Sequence, residues 1–395
     1  MATTATPTRP DPFALTADER AVRDTAREFA ERELGPTVAR RDEEERYDRA
    51  LFTRMGELGL TAIPFPEGLG GAGLSYFAWV LACEEIAAAD MGMAISLSVH
   101  YLSQLCIYVH GTDEQRERLL PPMTAGRQLG AFALTEPGAG SDAASLSLAA
   151  RRVDGGYALT GTKVWITNAG EADQYVVFAT VDRSQGRSGI TGFVVERDTP
   201  GFRIGSHERK MGIRDSPAAE LVFDGAVVPE ANRLGAEGEG LTVALGSLAT
   251  GRISIAAACT GLARSALEHA TRYATQRSQF GKAVADHEMI QAILADAATA
   301  VEASRLLTWR AARLRDAGAS VNTASSMAKM FASDTAMRVT TDAVQVYGGA
   351  GYSRDNPVER LMRDAKGAQI YEGSNQIQRL IIAQGLVEEM RRASR

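Results

Sequence analysis

What most constrains this chain is a change of hydrophobic period that happens twice. From Thr16 to about residue 127 apolar residues recur at helical spacing, from about Leu129 to Pro229 they alternate every second residue, and from Gly238 helical spacing returns in longer runs. Strands with no helices between them point to an antiparallel sheet, and long helices with short connections point to an antiparallel bundle. The 395 residues are therefore expected to form an α+β multidomain protein. Its expected parts are a disordered tail over 1–13, a helical domain over 14–128, a β-barrel or β-sandwich over 129–236 and a helical bundle over 237–395. Length and apolar content suffice for sizeable cores.

Local signals refine this outline. Thr16 and Glu19 form a capping box, Val22, Ala26, Phe29 and Ala30 mark one apolar face, and Gly35-Pro36 is expected to stop that helix. Further helices are expected over 51–58, 76–88 and 94–108 and, after a second box from Thr112 to Gln115, up to Leu120. The 94–108 segment is apolar nearly all round, which puts it at the centre of its domain. Gly68-Leu-Gly-Gly-Ala-Gly73 satisfies the dinucleotide pattern G-x-G-x-x-G, but Pro64-Phe-Pro66 before it argues against the strand that pattern requires. A Rossmann domain is rejected. In the middle region runs from 130–134 to 220–223, among them 146–148, read as strands, and Asp154-Gly-Gly156 reads as a hairpin turn. Helices are then expected over 241–276, 289–317, 325–347, 357–366 and 375–391.

Charge excludes several partners. The net charge is −6 with acids and bases interspersed, which leaves no basic field for nucleic acid or an anionic membrane. No apolar run is expected to be long enough to span a bilayer. Cys83, Cys106 and Cys259 lie far apart in apolar helical stretches without metal-ligand spacing, so no metal is expected and reduced, buried thiols in a cytoplasmic protein are. Residues 1–10 lack the apolar core of a secretory signal and the positive charge of an organelle-targeting helix.

One carboxylate stands out from these solvated charges. Tyr371-Glu372-Gly373 interrupts a helical pattern close to the C-terminus, so Glu372 sits on a short turn between two helices. Gly373 can take backbone angles closed to other residues, and Ser374 is an N-cap candidate for the helix that follows. A rigid turn of this kind suits a catalytic base, although a single loop glutamate taken out of context is more readily a solvated one.

The wider pattern decides between them. Thr135-Glu-Pro-Gly-Ala-Gly-Ser-Asp142, Trp165-Ile-Thr-Asn168, Gly251-Arg-Ile253, Arg277-Ser-Gln-Phe-Gly281, Gln345-Val-Tyr-Gly-Gly349 and Ile370-Tyr-Glu-Gly373 occur in the order and spacing of the acyl-CoA dehydrogenase family. The resemblance covers about residues 14–390 and is closest in character to the bacterial short-chain or branched-chain group. It implies a helical domain, a β domain and a four-helix bundle, a homotetramer, and one FAD per subunit. Carried over motif by motif, it implies that Phe132, Leu134, Thr135, Gly140, Ser141, Trp165, Ile166 and Thr167 hold the flavin, with Ser374 and Gln376 beside it. Arg277, Gln279, Phe280, His287, Gln345 and Gly349 are implied at the adenosine diphosphate end, supplied by a neighbouring subunit. A pyrophosphate suits a guanidinium fork and closely approaching glycine backbone.

The resemblance also implies a reaction. Glu372 would take the α-proton of a short-chain or branched-chain acyl-CoA while a β-hydride goes to flavin N5, giving the trans-2-enoyl product. The thioester carbonyl would be polarised by the Glu372 amide. Ser141, Arg252, His100 and Gly373 are expected on the substrate side, His100 either at the floor of the acyl pocket or as a hydrogen-bonded core residue. Ala94 stands where dicarboxylate-specific relatives carry Arg, which disfavours a glutaryl-type substrate. Ala249 stands where many relatives contact pantetheine, which keeps an acyl group on a carrier protein open as an alternative. A flavin oxidase or N-oxygenase of the same fold and a non-catalytic homologue are further alternatives, and Glu372 with the flavin motifs argues against both. Electron-transferring flavoprotein is implied as the acceptor, with roles in fatty acid β-oxidation or branched-chain amino acid catabolism.

Overall fold

A computed structural model describes residues 13–394; the expected tail lies almost wholly outside the described residues. The chain opens with six helices: α1 (Ala17–Phe29), α2 (Gly35–Glu44), α3 (Arg49–Glu57), α4 (Tyr76–Ala89), α5 (Met91–His110) and α6 (Asp113–Thr124). Both expected capping boxes are formed, Thr16 with Glu19 and Thr112 with Gln115, each side chain answering the other's free backbone amide. The expected stop at Gly35-Pro36 is not there. Ala30–Leu34 instead forms a π-helical turn, and Pro36 lies in the first turn of α2, where its missing N–H costs no hydrogen bond. The glycine-rich 68–73 segment follows no strand, as its prolines require; a 3-10 turn, Glu67–Leu69, begins it.

Helix α5 is buried along nearly its whole length. Among the described residues, it and α7 (Gly240–Gln276) are the two helices long and apolar enough to cross a membrane, which corrects the expectation that no run reaches that length. Their most apolar 18-residue stretches are 89% and 72% buried within the protein, as core helices are. α4 and α7 approach closely because Gly261 has no side chain; a Cβ there would fall 2.0 Å from the Glu84 carbonyl oxygen.

The middle region forms one sheet from β1 (Gly130–Ala133), β2 (Ala149–Val153), β3 (Gly156–Thr167), β4 (Gln174–Thr180), β5 (Ile190–Glu196), β6 (Phe202–His207), β7 (Ala218–Pro229) and β8 (Arg233–Leu234). The order is β6-β7-β3-β2-β4-β5-β8, with β1 paired to β4. The 154–156 turn closes the β2–β3 hairpin as expected, with Val153 opposite Gly156 and Gly155 at φ +73°. Residues 146–148 precede β2 instead of forming a strand. Most pairs are antiparallel, but β1 runs parallel to β4, Gly130 opposite Gln174, and β2 touches β4 in parallel at one residue pair. The sheet is therefore mixed, because β1 enters from the helical domain and pairs with a strand that is not its sequence neighbour.

The C-terminal region packs α7 against α8 (Glu288–Asp316) and α9 (Asn322–Tyr347), with α10 (Pro357–Ala368) and α11 (Asn375–Ala393) against α9. A small ribbon, β9 (Ser278–Gln279) with β10 (Lys282–Ala283), follows α7. Where the three regions meet, Arg41 of α2 is wholly buried and binds both Asp90, before α5, and Asp215, in the β6–β7 connection. Gly92 gives Asp215 room: a Cβ there would lie 1.9 Å from its Oδ1. The same connection reaches α10, the Ile213 N–H donating to Asp364 Oδ1 at 2.5 Å and the Arg363 guanidinium to the Met211 carbonyl at 3.2 Å.

Candidate active site

The turn between α10 and α11 holds Glu372 in an unusual backbone state. Glu372 has φ +54° and Gly373 φ +87°, two successive residues in the left-handed region. Glycine takes it freely, while for glutamate it costs on the order of 1–2 kcal/mol. The surroundings hold it there. The Gln378 side-chain amide donates to the carbonyls of Glu372 and Gly373, and the Asn375 N–H reaches back to the Gln369 carbonyl. Lys329 Nζ of α9 donates to the Gly373 carbonyl at 2.8 Å. Ser374 stands at the N-cap of α11 but makes no side-chain capping bond.

The Glu372 side chain turns inward. Both carboxylate oxygens are shut off from solvent and neither has a hydrogen-bond partner among the described residues. They lie against Gly251 of α7, where an added Cβ would meet Oε2 at 2.8 Å and Oε1 at 3.0 Å. Burial pushes the Glu372 carboxyl up to about 7, against the opposing pull of Arg252 and Lys329. Arg252 is itself buried, its Nη1 donating to Asn322 Oδ1 at 3.1 Å, and burial draws its guanidinium below the usual arginine range. A buried carboxylate with neither oxygen engaged and a pKa near neutral is equipped to take a proton from something that enters beside it.

A second group of expected residues gathers where β1 leaves the sheet. The Val164 N–H of β3 donates to the Thr135 carbonyl, and the buried Lys163 Nζ donates to the Leu134 carbonyl at 3.0 Å and Glu136 Oε1 at 2.7 Å. Glu136 in turn accepts from the amides of Ser147 and Leu148. Next to this lock the β3–β7 register shifts between Lys163 and Ile166, and Trp165 sits at φ +60° with 59% of its surface exposed. A bulge of this kind re-aims a side chain, here an indole turned out of the sheet. Phe132 and Thr167 are half-buried; Gly140 and Ser141 are exposed, with open space at Gly140. Ile166 and Leu134 differ from these, since their side chains are buried in the core.

The third group lies at one end of the bundle. Tyr273, one turn before Arg277, stacks on Tyr347, between Gln345 and Gly349, at 4.1 Å. His287 Nε2 meets the Gln279 carbonyl at 3.2 Å, and the His287 ring lies edge-on to Phe280, which is 95% exposed at φ +53°. Arg277, Gln345 and Gly349 are exposed, as is Gln376 of α11. No hydrogen bond or ring contact among the described residues ties this end to Trp165.

His100 lies in the protein core. It is fully buried; the Gly130 N–H donates to its Nδ1 at 2.9 Å and its Nε2 meets the Met123 carbonyl at 3.1 Å. Burial pushes its pKa down to about 3, so it is a neutral imidazole with both nitrogens engaged, joining α5 to β1. Sequence reading missed Lys163, Glu136, Lys329 and the contact of Gly251 with the carboxylate. Two surface clefts of ≈ 430 and ≈ 240 Å³ take in none of the expected site residues.

Comparison with known proteins finds relatives over nearly the full length of the chain. Models of the N-terminal, middle and C-terminal domains of acyl-CoA dehydrogenase match residues 16–127, 131–226 and 238–387. An acyl-CoA dehydrogenase of Bacillus subtilis is 47% identical over 374 residues, 94% of this chain and 99% of that protein. Butyryl-CoA dehydrogenase from Megasphaera elsdenii superposes with a TM-score of 0.94 at 43% identity, covering 95% of this chain and 100% of that one. A chain in the structure of the electron-transferring flavoprotein of Acidaminococcus fermentans also reaches 0.94, at 46% identity and 95% and 99% coverage. With three domain models and relatives this similar over nearly its full length, the chain belongs to the acyl-CoA dehydrogenase family.

Proposed function

We propose that the protein desaturates a short-chain or branched-chain acyl-CoA thioester between Cα and Cβ, with Glu372 as the base that removes the α-proton. Acyl-CoA dehydrogenase activity follows from family membership, and FAD is the cofactor of this family. The observation that carries the base assignment is the pair of buried, unpartnered Glu372 oxygens with a pKa raised to about 7. A short acyl chain is supported by the butyryl-CoA dehydrogenase likeness.

The residues present fit a flavin. The bulged Trp165 offers an exposed aromatic face, the Thr135 and Thr167 side chains are half-open beside it, and the glycines at 138 and 140 leave room for close approach. We assign Phe132, Leu134, Thr135, Gly140, Ser141, Trp165, Thr167, Ser374 and Gln376 to the flavin, together with the backbone of Ile166. When bound, FAD supplies the acceptor for the hydride that leaves Cβ. The protein's own part is to hold Glu372 dry and ionisable, to exclude water from it, and to offer a donor to the thioester carbonyl. The Glu372 N–H suits that last task, having no backbone hydrogen bond among the described residues. Arg252 and Gly373 line the same turn, and Ser141 is assigned to the thioester end.

Arg277, Gln279, Phe280, His287, Gln345 and Gly349 are assigned to the adenosine diphosphate of a neighbouring subunit's FAD. The exposure of all of these but the half-buried His287 supports a homotetramer, as do the exposed apolar residues Leu380, Leu386, Val387 and Met390 of α11. Electron-transferring flavoprotein is proposed as electron acceptor, supported by the likeness to the Acidaminococcus fermentans chain. A cytoplasmic setting is proposed with it, supported by three free, buried thiols. The division into domains over 14–128, 129–236 and 237–395 is likewise our proposal.

Two outcomes test the base. Because Glu372 must be ionised to accept a proton, kcat/KM should rise tenfold per pH unit below about 7 and level off above it. A profile flat from pH 5.5 to 8.5 counts against Glu372. Replacing Gly251 with Ala should push the carboxylate aside by up to an ångström and lower turnover about 100-fold, with FAD content unchanged. Unaltered turnover in that variant means the contact does not position the base.

A further inference from the structure

We propose that Lys329 is the positioning residue of the catalytic turn, its ammonium fixing the Gly373 carbonyl and its charge setting how readily Glu372 ionises. The proposal rests on the reading of Glu372 as the base. Lys329 lies on the inner face of α9 and is 0% exposed, an unfavourable place for an ammonium unless its donors are used. They are used on the turn. Nζ donates to the Gly373 carbonyl at 2.8 Å and to Asn375 Oδ1 at 3.0 Å.

Asn375 is a fixed partner and not a flexible one. Its Nδ2 donates to Ser333 Oγ at 2.9 Å and to Asp334 Oδ1 at 2.7 Å, so the first residue of α11 is tied to α9 from both ends of its side chain. Gly373 is thereby pinned in the left-handed region, and Glu372, one residue back, is carried there with it. The Lys329 ammonium thus holds the carbonyl side of a turn whose Ser374 makes no side-chain capping bond.

The charge acts as well. The groups facing Glu372 are Arg252 from α7 and Lys329 from α9. Those facing Lys329 are Cys259 and Arg252 from α7, Asp334 from its own helix and Glu372 itself. The buried Tyr371 hydroxyl is raised well above its usual range by burial, with Cys259, Glu372 and Asp364 of α10 adding to it. Burial pulls Lys329 down to about 8 while Glu372 pulls it back. The cation favours the carboxylate, so removing it must make Glu372 harder to ionise.

Infrared titration of the FAD-loaded enzyme reads this directly, without turnover. The protonated-carboxyl band of Glu372 is the one missing from the Glu372→Gln protein. In Lys329→Met and in Lys329→Gln, which keeps a donor but no charge, its midpoint should move up by about one pH unit; in Lys329→Arg it should return to the wild-type position. An unmoved midpoint in both neutral variants overturns the proposal. So does failure of both to fold with FAD bound, which would make Lys329 a determinant of the fold alone. Failure of the underlying reading looks different: Glu372→Gln would then still reduce its flavin, whereas an inert Glu372→Gln with unmoved lysine variants removes only the role of Lys329.

Discussion

Replacing Arg41 with Met should lower the stability of this protein by about 3–5 kcal/mol, the penalty of leaving a buried charge without its partner. Arg41 is 0% exposed and is the shared cation of Asp90 and Asp215, which approach it from different regions of the chain. Asp90 also caps α5 through the Met93 amide at 2.9 Å, so it cannot simply turn away. Asp215 is already raised above the usual carboxylate range by burial and by Asp90, with Arg41 opposing both. Without the guanidinium the two carboxylates face each other in the dry. The same network touches α10 through the Ile213–Asp364 contact, so the loss should be felt in all three regions. Urea unfolding followed by tryptophan fluorescence measures it, and adding Asp90→Asn and Asp215→Asn to the variant should recover part of the loss. A change below about 1 kcal/mol would place this site with exposed ion pairs, whose worth is that small.

The second large effect is chemical. Changing Glu372 to Gln keeps the shape of the turn and removes the only unpartnered carboxylate in it, so turnover should fall by about 10³-fold or more. FAD should stay bound, because most of the residues assigned to it lie on β1, the loop after it, β3 and the bundle end, and the substitution leaves Ser374 and Gln376 of the α11 side in place. The backbone strain at φ +54° should also survive, since Gln378 and Lys329 hold main-chain atoms of the turn and not the carboxylate. Removing a buried acid with a raised pKa should leave the fold as stable as before, or more so near pH 8. Loss of flavin in this variant would mean that Glu372 shapes the cofactor site instead of acting on substrate.

Much of this arrangement was legible in the order of residues. The two capping boxes, the 154–156 hairpin and the long helices of the bundle lie where hydrophobic period and turn chemistry put them, because those signals are local. The parallel pairing of β1 with β4 was not legible, since it is set by long-range contacts: His100 and Asn168 both bond the backbone of Gly130. The helix running through Gly35-Pro36 was missed because a proline reads as a stop inside a helix and as a start in its first turn. At the site, the motifs marked Glu372 and Trp165, but nothing in them shows that both take positive φ, a state expected of glycine. Lys329 could have been found. It falls on the buried stripe of α9 with Ser325, Ala332, Ala336, Val339 and Ala343, and a lysine in such a stripe needs a partner.

The central claim is that Glu372 takes the α-proton of an acyl-CoA while the flavin is reduced. It is tested most directly by mixing the FAD-loaded wild-type and Glu372→Gln proteins with butyryl-CoA without oxygen and following flavin absorbance. The wild type should bleach within seconds and the variant should stay yellow over the same period. Bleaching of the variant at a rate near the wild type, or no bleaching of the wild type by butyryl-CoA or by any short or branched acyl-CoA, would contradict it.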